Sequence, residues 1–225
     1  MNPLIVALDV PSLDEATKLV RTIGDAAGAF KVGLELFTAE GPRAVSAIEA
    51  HVFLDLKLHD IPTTVAGALR ALDVVAPWMV NVHALGGRAM LEAAADAKPA
   101  STKLLAVTIL THLSDDDLAE LAMPKASDAV PALAKLAAEA GCDGVVCAPT
   151  DIAAVRAVVP NDFLIVTPGV RPAGTASDEH ARGATPAAAV DAGANHIVVG
   201  RPIIHAADPR AAALAIVNEA EGGSA

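Results

Sequence analysis

The sequence predicts an α/β protein, a single-domain (β/α)8 TIM barrel that spans residues 1–225. Eight short apolar runs alternate with Ala-rich stretches of helical spacing along the whole chain. The runs are almost continuously apolar, which is typical of parallel strands buried on both faces. Eight such repeats over about 220 residues favour a closed barrel. The alternative is an open doubly wound sheet, but no GxGxxG motif follows the first run.

Turn residues and caps allow the segments to be placed individually. The predicted strands are Leu4–Val10, Ala29–Leu34, His51–Leu58, Trp78–Ala84, Lys103–Leu110, Gly144–Ala148, Phe163–Val170 and His196–Gly200. The first helix begins after Ser12, an N-cap residue with an acidic residue at the third helical position. The later predicted helices are Pro62–Val75, Arg88–Ala97, Ser127–Ala140, Asp151–Val158, Thr185–Ala192 and Pro209–Ala220. Gly141 and Gly193 follow two of these helices, where a left-handed residue is expected.

Composition and charge narrow the classes of function. The formal net charge is −11, which argues against a general nucleic-acid or anionic-membrane surface but still permits binding of one phosphate. No apolar run approaches the roughly 18 residues that span a bilayer, and the amino terminus lacks the basic segment of a signal peptide. Cys142 and Cys147 form no CxxC pair and are expected to be reduced core residues. We therefore expect a cytoplasmic protein.

Two connections are longer than ordinary loops between a strand and a helix. Thr111–Lys125 follows the fifth predicted strand, and Arg171–Ala184 follows the seventh. Such loops lie on the active-site face of this fold, so both are candidate lids, and a variable surface insertion is the simpler alternative. Ser114–Asp117 is interpreted as a helix cap followed by acidic first-turn residues, not as a metal site. No HExxH or comparable metal motif occurs, so no metal is expected.

Charged residues interrupt the first three apolar runs. Asp9 ends the first strand, Lys31 lies in the second, and Asp55 and Lys57 share one face of the third. Asp60 lies just beyond, in the turn to the next helix. Isolated charges in apolar strands are costly, and a structural salt bridge would explain only one pair of them. The set as a whole predicts a charged catalytic centre at the mouth of the barrel.

Lys57 is the residue best suited to chemistry. The flanking Asp55 and Asp60 should favour its charged ammonium form. A protonated lysine in a dry pocket can stabilise a developing carbanion and deliver a proton to it. Two histidines lie near this segment: His83 either faces the site or is a hydrogen-bonded core residue, and His59 has the parity of an inward or supporting side chain.

A phosphate site is predicted from two separate segments. Val198–Pro202 ends the eighth strand with Gly200 and Arg201, a glycine that lets backbone N–H groups approach an anion and an arginine that can bind two oxygens. Thr167–Pro172, with Pro168 and Arg171, follows the seventh strand. The loops after these two strands commonly bind phosphate in this fold.

Several segments together resemble the orotidine 5′-phosphate decarboxylase family. The matching motifs are ALD at 7–9, FKVG at 30–33, DLKLHDIP at 55–62, VTILT at 107–111, PGVRP at 168–172 and VGR at 199–201. They occur in order over essentially the whole chain, and DLKLHDIP is highly specific. The resemblance implies decarboxylation of orotidine 5′-monophosphate to uridine 5′-monophosphate in de novo pyrimidine biosynthesis, without a metal or organic cofactor.

The resemblance also implies individual roles. Lys31, Asp55 and Lys57 would form an alternating charged network, which Asp60 completes from the other subunit of a homodimer. The remaining implied binding residues are Asp9 for the ribose hydroxyls, Ile61 and Thr64 from the other subunit, Thr111 and Ser114 near the pyrimidine, and Gly200 and Arg201 for the phosphate, with Pro168 and Arg171 added to the substrate site.

One position departs from the family pattern. The family often has a phosphate-binding Gln shortly before an Arg in the loop after the seventh strand, and this chain has His180 there, with Arg182 kept. Histidine can also donate a hydrogen bond, so the phosphate contact would differ in strength or pH dependence. Arg171 or Arg182 could take over this contact.

Two other functions compete with this one. The first is a Mg²⁺-dependent sugar-phosphate decarboxylase or aldolase of the same superfamily, which shares an Asp-x-Lys-x-x-Asp core. The second is a non-catalytic barrel that binds a phosphorylated ligand. The intact charged set argues against the second, and the HDIP continuation at 59–62 argues against the first.

Overall fold

The computed structural model describes residues 2–172 and 184–222, and these form a closed barrel of eight parallel strands. Each strand pairs with its neighbours in chain order, and β8 pairs with β1. The strands are β1 Leu4–Ala7, β2 Ala29–Val32, β3 Val52–Leu58, β4 Met79–His83, β5 Lys103–Val107, β6 Gly144–Val146, β7 Leu164–Thr167 and β8 His196–Val199. The predicted (β/α)8 barrel is confirmed.

Helices surround this barrel. They are α1 Leu13–Ile23, α2 Leu34–Glu40, α3 Arg43–Ser46, α4 Pro62–Ala71, α5 Gly87–Ala97, α6 Asp115–Glu120, α7 Ala126–Glu139, α8 Ile152–Arg156, α9 Pro186–Asp191, α10 Arg201–Ile204 and α11 Pro209–Ala220. Ser12 caps α1 by accepting a hydrogen bond from the Glu15 N–H, as predicted. Gly141 and Gly193 have φ of 85° and 107°, which confirms the left-handed positions after α7 and α9.

Two apolar clusters explain why the strands are apolar on both faces. The larger cluster lies between the strands and the helices and includes Leu4, Leu54 and Val80. The smaller cluster fills the barrel interior and includes Ile5, Phe53 and Met79. Because adjacent side chains point to opposite faces, each strand contributes to both clusters. Lys31, Asp55 and Asn81 are buried polar residues of three neighbouring strands, β2, β3 and β4.

Several boundaries differ from the sequence prediction. Most strands end earlier than the apolar runs, because residues just past the strand ends, such as Leu8 and Ile109, still pack into the outer cluster. The helices between β2 and β3 were not predicted. Leu34 was assigned to the second strand, but it begins α2 and is 58% exposed. The short α10 was not predicted either.

The remaining expectations concern cysteines and membrane spans. Cys142 and Cys147 are both buried, and neither forms a disulfide within the described residues. Burial raises the pKa of the Cys142 thiol to about 12, and the neighbouring Asp143 adds to this effect. Among the helices of residues 2–172 and 184–222, none has the length and hydropathy needed to cross a membrane.

Gly144 in β6 tests the packing of the barrel interior. A Cβ at this position would lie 2.6 Å from the Leu164 Cβ and 2.9 Å from the Leu105 Cδ2, and would collide with the Leu164 carbonyl oxygen. We expect Gly144→Ala to lower the free energy of unfolding by about 2 kcal/mol, measured by urea denaturation. Gly67→Ala in α4 is the control, because a Cβ at this position meets no atom closer than 3.9 Å. This substitution should stabilise the helix slightly. Equal stability of the two variants would contradict this packing.

Candidate active site

The site begins with an irregularity in β3. Its pairing with β4 shifts register between Leu54 and Leu58, and within this bulge Lys57 has a φ of 51°. A left-handed conformation is uncommon for a residue with a Cβ. The bulge still leaves Leu56 and Leu58 packed on the outer cluster, while Asp55 and Lys57 both reach the barrel mouth. The predicted division of this segment between two faces is thus observed.

Four charged side chains form one continuous chain across the barrel mouth. The Lys57 Nζ donates to the Asp55 Oδ1 at 2.6 Å. The Lys31 Nζ lies 3.5 Å from the Asp55 Oδ2 and donates to the Asp9 Oδ1 at 3.0 Å. Lys31 and Asp55 are buried, whereas the Asp9 side chain is 53% exposed. The structure thus brings together Lys31, Asp55 and Lys57, for which the family resemblance implied alternating charges, and adds Asp9 at the end of the chain.

The Asp55 carboxylate is held in its ionised form. Burial is the largest influence and would raise its pKa, but the charges of Lys31 and Lys57 together with hydrogen bonds from Lys57 and Asn81 outweigh it. The net effect lowers the pKa of Asp55 below its usual value of 3.8. The site therefore presents a fixed negative charge between two ammonium groups.

Asn81 in β4 was not identified from the sequence, although a polar residue within an apolar run was a usable signal. It is fully buried. Its Nδ2 donates to the Asp55 Oδ1 at 2.6 Å, and its Oδ1 accepts from the Lys57 N–H at 2.7 Å. Asn81 therefore joins the backbone of one charged residue to the side chain of the other.

A cavity of about 160 Å³ lies over the charged residues. Lys31, Asp55, Lys57 and Thr111 supply its charged and hydroxyl groups, and Pro168 lies on its wall. Apolar side chains such as Val107, Val146 and Val198 line much of the remainder. The cavity therefore combines an apolar enclosure with charges at one end, which suits a flat ring that carries an anionic substituent.

Two histidines flank the network. The rings of His59 and His83 are 5.3 Å apart, with an angle of 38° between their planes. Desolvation of His83, followed by the influence of His59 and Lys57, lowers its pKa below 6.5, so His83 is neutral at physiological pH. Among the described residues its buried Nδ1 has no hydrogen-bond partner, so the predicted alternative of a hydrogen-bonded core histidine does not describe this nitrogen.

The segment 60–64 lies at the rim and not in the network of its own chain. Within the described residues Asp60 forms no ion pair, and its Oδ1 accepts from the Ile61 N–H at 2.6 Å. Ile61 is 64% exposed and Thr64 is also exposed. Within one chain, the described residues show the predicted pairing of Lys57 with Asp55 and no ion pair between Lys57 and Asp60.

Two glycines, Gly33 and Gly200, leave room for the Asp9 carboxylate to lie close to the backbone. A Cβ on Gly33 would lie 2.9 Å from the Lys31 Nζ and 3.2 Å from the Asp9 Oδ1. A Cβ on Gly200 would lie 3.6 Å from the Asp9 Oδ2, so Gly200 and Asp9 are neighbours. Arg201 follows at the start of α10 and is exposed. The predicted ribose and phosphate residues are thus brought together beside the network.

The remaining predicted residues divide into three groups. Arg171 is partly buried beside the isolated bridge between Val170 and Ala184. Ser114 forms a capping box with Asp117 at the start of α6, which confirms the cap, and it borders a cavity separate from the one over Lys57. His180 and Arg182 lie outside the described residues. Across the described ranges, His, Cys, Asp and Glu side chains form no group of three or more that could hold a metal ion.

A buried lysine–carboxylate network at the carboxyl end of the strands defines this molecule as a (β/α)8-barrel enzyme. The chain belongs to the Orotidine 5′-phosphate decarboxylase / HUMPS family, whose model matches residues 2–216.

Relatives match over nearly the full chain. Orotidine 5′-phosphate decarboxylase from Halorhodospira halophila is 52% identical, covering 96% of this chain and 94% of the relative. The protein of the same name from Chromohalobacter salexigens is 47% identical, covering 97% and 95%. The crystal structure of orotidine 5′-phosphate decarboxylase from Lactobacillus acidophilus superposes with a TM-score of 0.86 at 39% identity, covering 98% of this chain and 99% of that one.

The lowered pKa of Asp55 makes a prediction about stability. A carboxyl with a depressed folded-state pKa stabilises the protein above its unfolded pKa, and this contribution is lost as pH falls through the folded value. We expect wild type to lose stability more steeply than Asp55→Asn as pH falls from about 5 to about 3, measured by urea unfolding at each pH. Parallel curves for the two proteins would show that Asp55 is not held in its charged form.

Proposed function

We propose that this protein decarboxylates orotidine 5′-monophosphate to uridine 5′-monophosphate and CO₂ in de novo pyrimidine biosynthesis. The observation that carries the proposal is the Lys57 ammonium, paired with the ionised Asp55 at 2.6 Å and facing an apolar cavity. The names of the relatives agree with this substrate.

The substrate can be assigned to the site by chemistry. The pyrimidine ring suits the cavity bounded by Val107 and Pro168, whose wall also includes Thr111. The ribose hydroxyls suit the exposed Asp9 carboxylate. The 5′-phosphate suits Gly200, where the absence of a side chain leaves room for an anion beside the backbone. Arg171, Arg201 and Ser114 remain predicted contacts on the basis of the family resemblance.

The reaction requires one proton and no redox partner. The bond between C6 of the pyrimidine and its carboxylate carbon breaks, CO₂ leaves, and the electron pair stays on C6. Lys57 then transfers a proton from Nζ to C6, and water restores the proton to the amine. An ammonium fixed next to the developing carbanion stabilises charge that is greatest in the transition state, which is where stabilisation accelerates a reaction.

Asp55 adds a smaller contribution to the rate, through repulsion instead of attraction. A substrate carboxylate beside this ionised side chain would be repelled, and loss of CO₂ would relieve the repulsion. Lys31 limits the effect by pairing with Asp55 from the other side at 3.5 Å. Asp55 also orients the Lys57 ammonium, so we assign it positioning as its main role.

The Mg²⁺-dependent alternative is less well supported by the geometry. A metal at Asp55 would need free carboxylate oxygens. The Oδ1 already accepts from the Lys57 Nζ and the Asn81 Nδ2, and the Oδ2 faces the Lys31 ammonium. Two ammonium groups thus occupy the positions a cation would take.

We further propose that the site is completed by a second copy of the chain. Exposed large apolar residues follow three neighbouring strands at the same rim: Leu34 after β2, Ile61 after β3 and Leu85 after β4, at 58%, 64% and 44% exposure. Asp60 lies beside them without an ion pair among the described residues. A symmetric homodimer over this rim would bury the apolar residues and bring Asp60 to the partner's Lys57.

Replacing Lys57 tests the proposed activity. We expect wild type to decarboxylate orotidine 5′-monophosphate, measured as the decrease in absorbance when the substrate is converted to uridine 5′-monophosphate. Full activity should remain after EDTA treatment. Lys57→Ala should lower kcat by at least about 10³-fold while changing uridine 5′-monophosphate affinity far less. Lys135→Ala is the matched control, because this lysine is 65% exposed on α7. Normal turnover by Lys57→Ala would contradict the mechanism, and EDTA-sensitive turnover would favour the Mg²⁺-dependent alternative.

Mixing two inactive variants tests the shared site. In a heterodimer of Lys57→Ala and Asp60→Ala chains, one of the two sites has both native residues. Random exchange should therefore restore about one quarter of wild-type activity, as expected for a two-fold dimer. Subunit exchange is checked with tagged chains. Absence of rescue despite exchange would show that Asp60 acts in its own chain or not at all.

A further inference from the structure

We infer that Asn81 is a positioning residue of the active site, which fixes both the Lys57 backbone and the Asp55 carboxylate in their working geometry. This inference rests on the proposed decarboxylation and assigns a role to a residue that does not line the substrate cavity. Asn81 lies on β4 and is fully buried, directly beneath the bulge of β3.

The two halves of the Asn81 amide make different contacts. Its Oδ1 accepts from the Lys57 N–H at 2.7 Å, and its Nδ2 donates to the Asp55 Oδ1 at 2.6 Å. In a regular parallel strand the Lys57 N–H would bond to a neighbouring backbone carbonyl, but the register is irregular between Leu54 and Leu58. The side chain of Asn81 thus substitutes for a backbone partner that the bulge removes.

This contact matters because the conformation of Lys57 is unfavourable by itself. A φ of 51° for a residue with a Cβ costs roughly 1–2 kcal/mol and persists only where surrounding contacts impose it. A buried N–H without a partner would add a further penalty. The amide of Asn81 prevents that penalty and thereby stabilises the conformation that directs the Lys57 side chain toward Asp55.

The donor half of the amide acts on Asp55. The Asp55 Oδ1 receives both the Lys57 ammonium and the Asn81 amide, each at 2.6 Å. Two donors on one oxygen define the orientation of the carboxylate, whereas an ammonium alone can rotate around it. An amide also achieves this without introducing another charge beside Lys31 and Lys57.

Two variants of similar size separate these contributions. Asn81→Leu removes both contacts. Asn81→Asp keeps an acceptor for the Lys57 N–H but loses the donor to Asp55. When the pH is lowered, a proton shared between the two carboxyl groups restores an O–H donor. Lys31, Lys57, His59 and His83 also face this region, but they are common to all the proteins compared. The control is Thr102→Val, which removes a buried hydroxyl that donates to the Pro77 carbonyl at the other end of the barrel.

For Asn81→Leu we expect kcat to fall by about 10²-fold, as for removal of one preorganised donor, with uridine 5′-monophosphate affinity within about threefold. For Asn81→Asp we expect turnover relative to wild type to rise as the pH is lowered from about 8 to about 5. Thr102→Val should keep wild-type turnover per folded molecule. Wild-type-like turnover of Asn81→Leu, or a pH-independent ratio for Asn81→Asp, would overturn the inference.

Hydrogen exchange of the Lys57 amide, measured by NMR, gives a readout that does not depend on activity. Exchange should be slow in wild type and Asn81→Asp, and fast in Asn81→Leu. Unchanged exchange in Asn81→Leu would overturn the inference. If Asn81→Leu does not fold, the inference is tested by the pH profile of Asn81→Asp and by the exchange rate of the Lys57 amide in wild type. Inactive wild type would contradict the proposed decarboxylation instead, and the Lys57 exchange rates would still test the geometry.

Discussion

Placing the carboxylate of Asp55 inside the barrel mouth costs several kcal/mol unless cations and donors replace the water that it loses. Lys31 and Lys57 supply the cations, and Asn81 supplies a neutral donor. Each of these groups is in turn fixed by another strand of the barrel. The requirement to compensate one buried charge therefore accounts for the polar residues of β2, β3 and β4 that surround it.

The barrel makes this compensation possible by its strand order. Consecutive parallel strands end at the same face, so residues far apart in sequence, such as Asp9 and Asp55, reach one Lys31 ammonium. The rest of the interior is apolar, with Phe53 and Met79 beneath the charges. Electrostatic interactions are stronger against such an apolar background than in water, which suits a reaction that develops negative charge on carbon.

Much of this arrangement could be predicted from the sequence, because it follows from periodicity and from the cost of isolated charges. Strand parity placed Asp55 and Lys57 on one face, and the fold then brought Lys31 close to them. The left-handed backbone of Lys57 could not be predicted, because it depends on a bulge that strand periodicity does not record. Asn81 was missed because one amide in an apolar run has no charge to draw attention. Asp60 lies two residues past the end of β3, so the spacing within the strand did not determine its position relative to Lys57. Leu34 was placed in a strand because its apolar character fits a strand as well as an exposed helix start.

The central claim is that Asp55 remains ionised between its two lysines throughout the pH range in which the protein is folded and active. The most direct test is the ¹³C chemical shift of the Asp55 Cγ as a function of pH, assigned by comparison with Asp55→Asn. The account predicts a constant shift from about pH 8 to about pH 6 and a titration midpoint below the usual value of 3.8. A titration with its midpoint at or above that value would contradict the account.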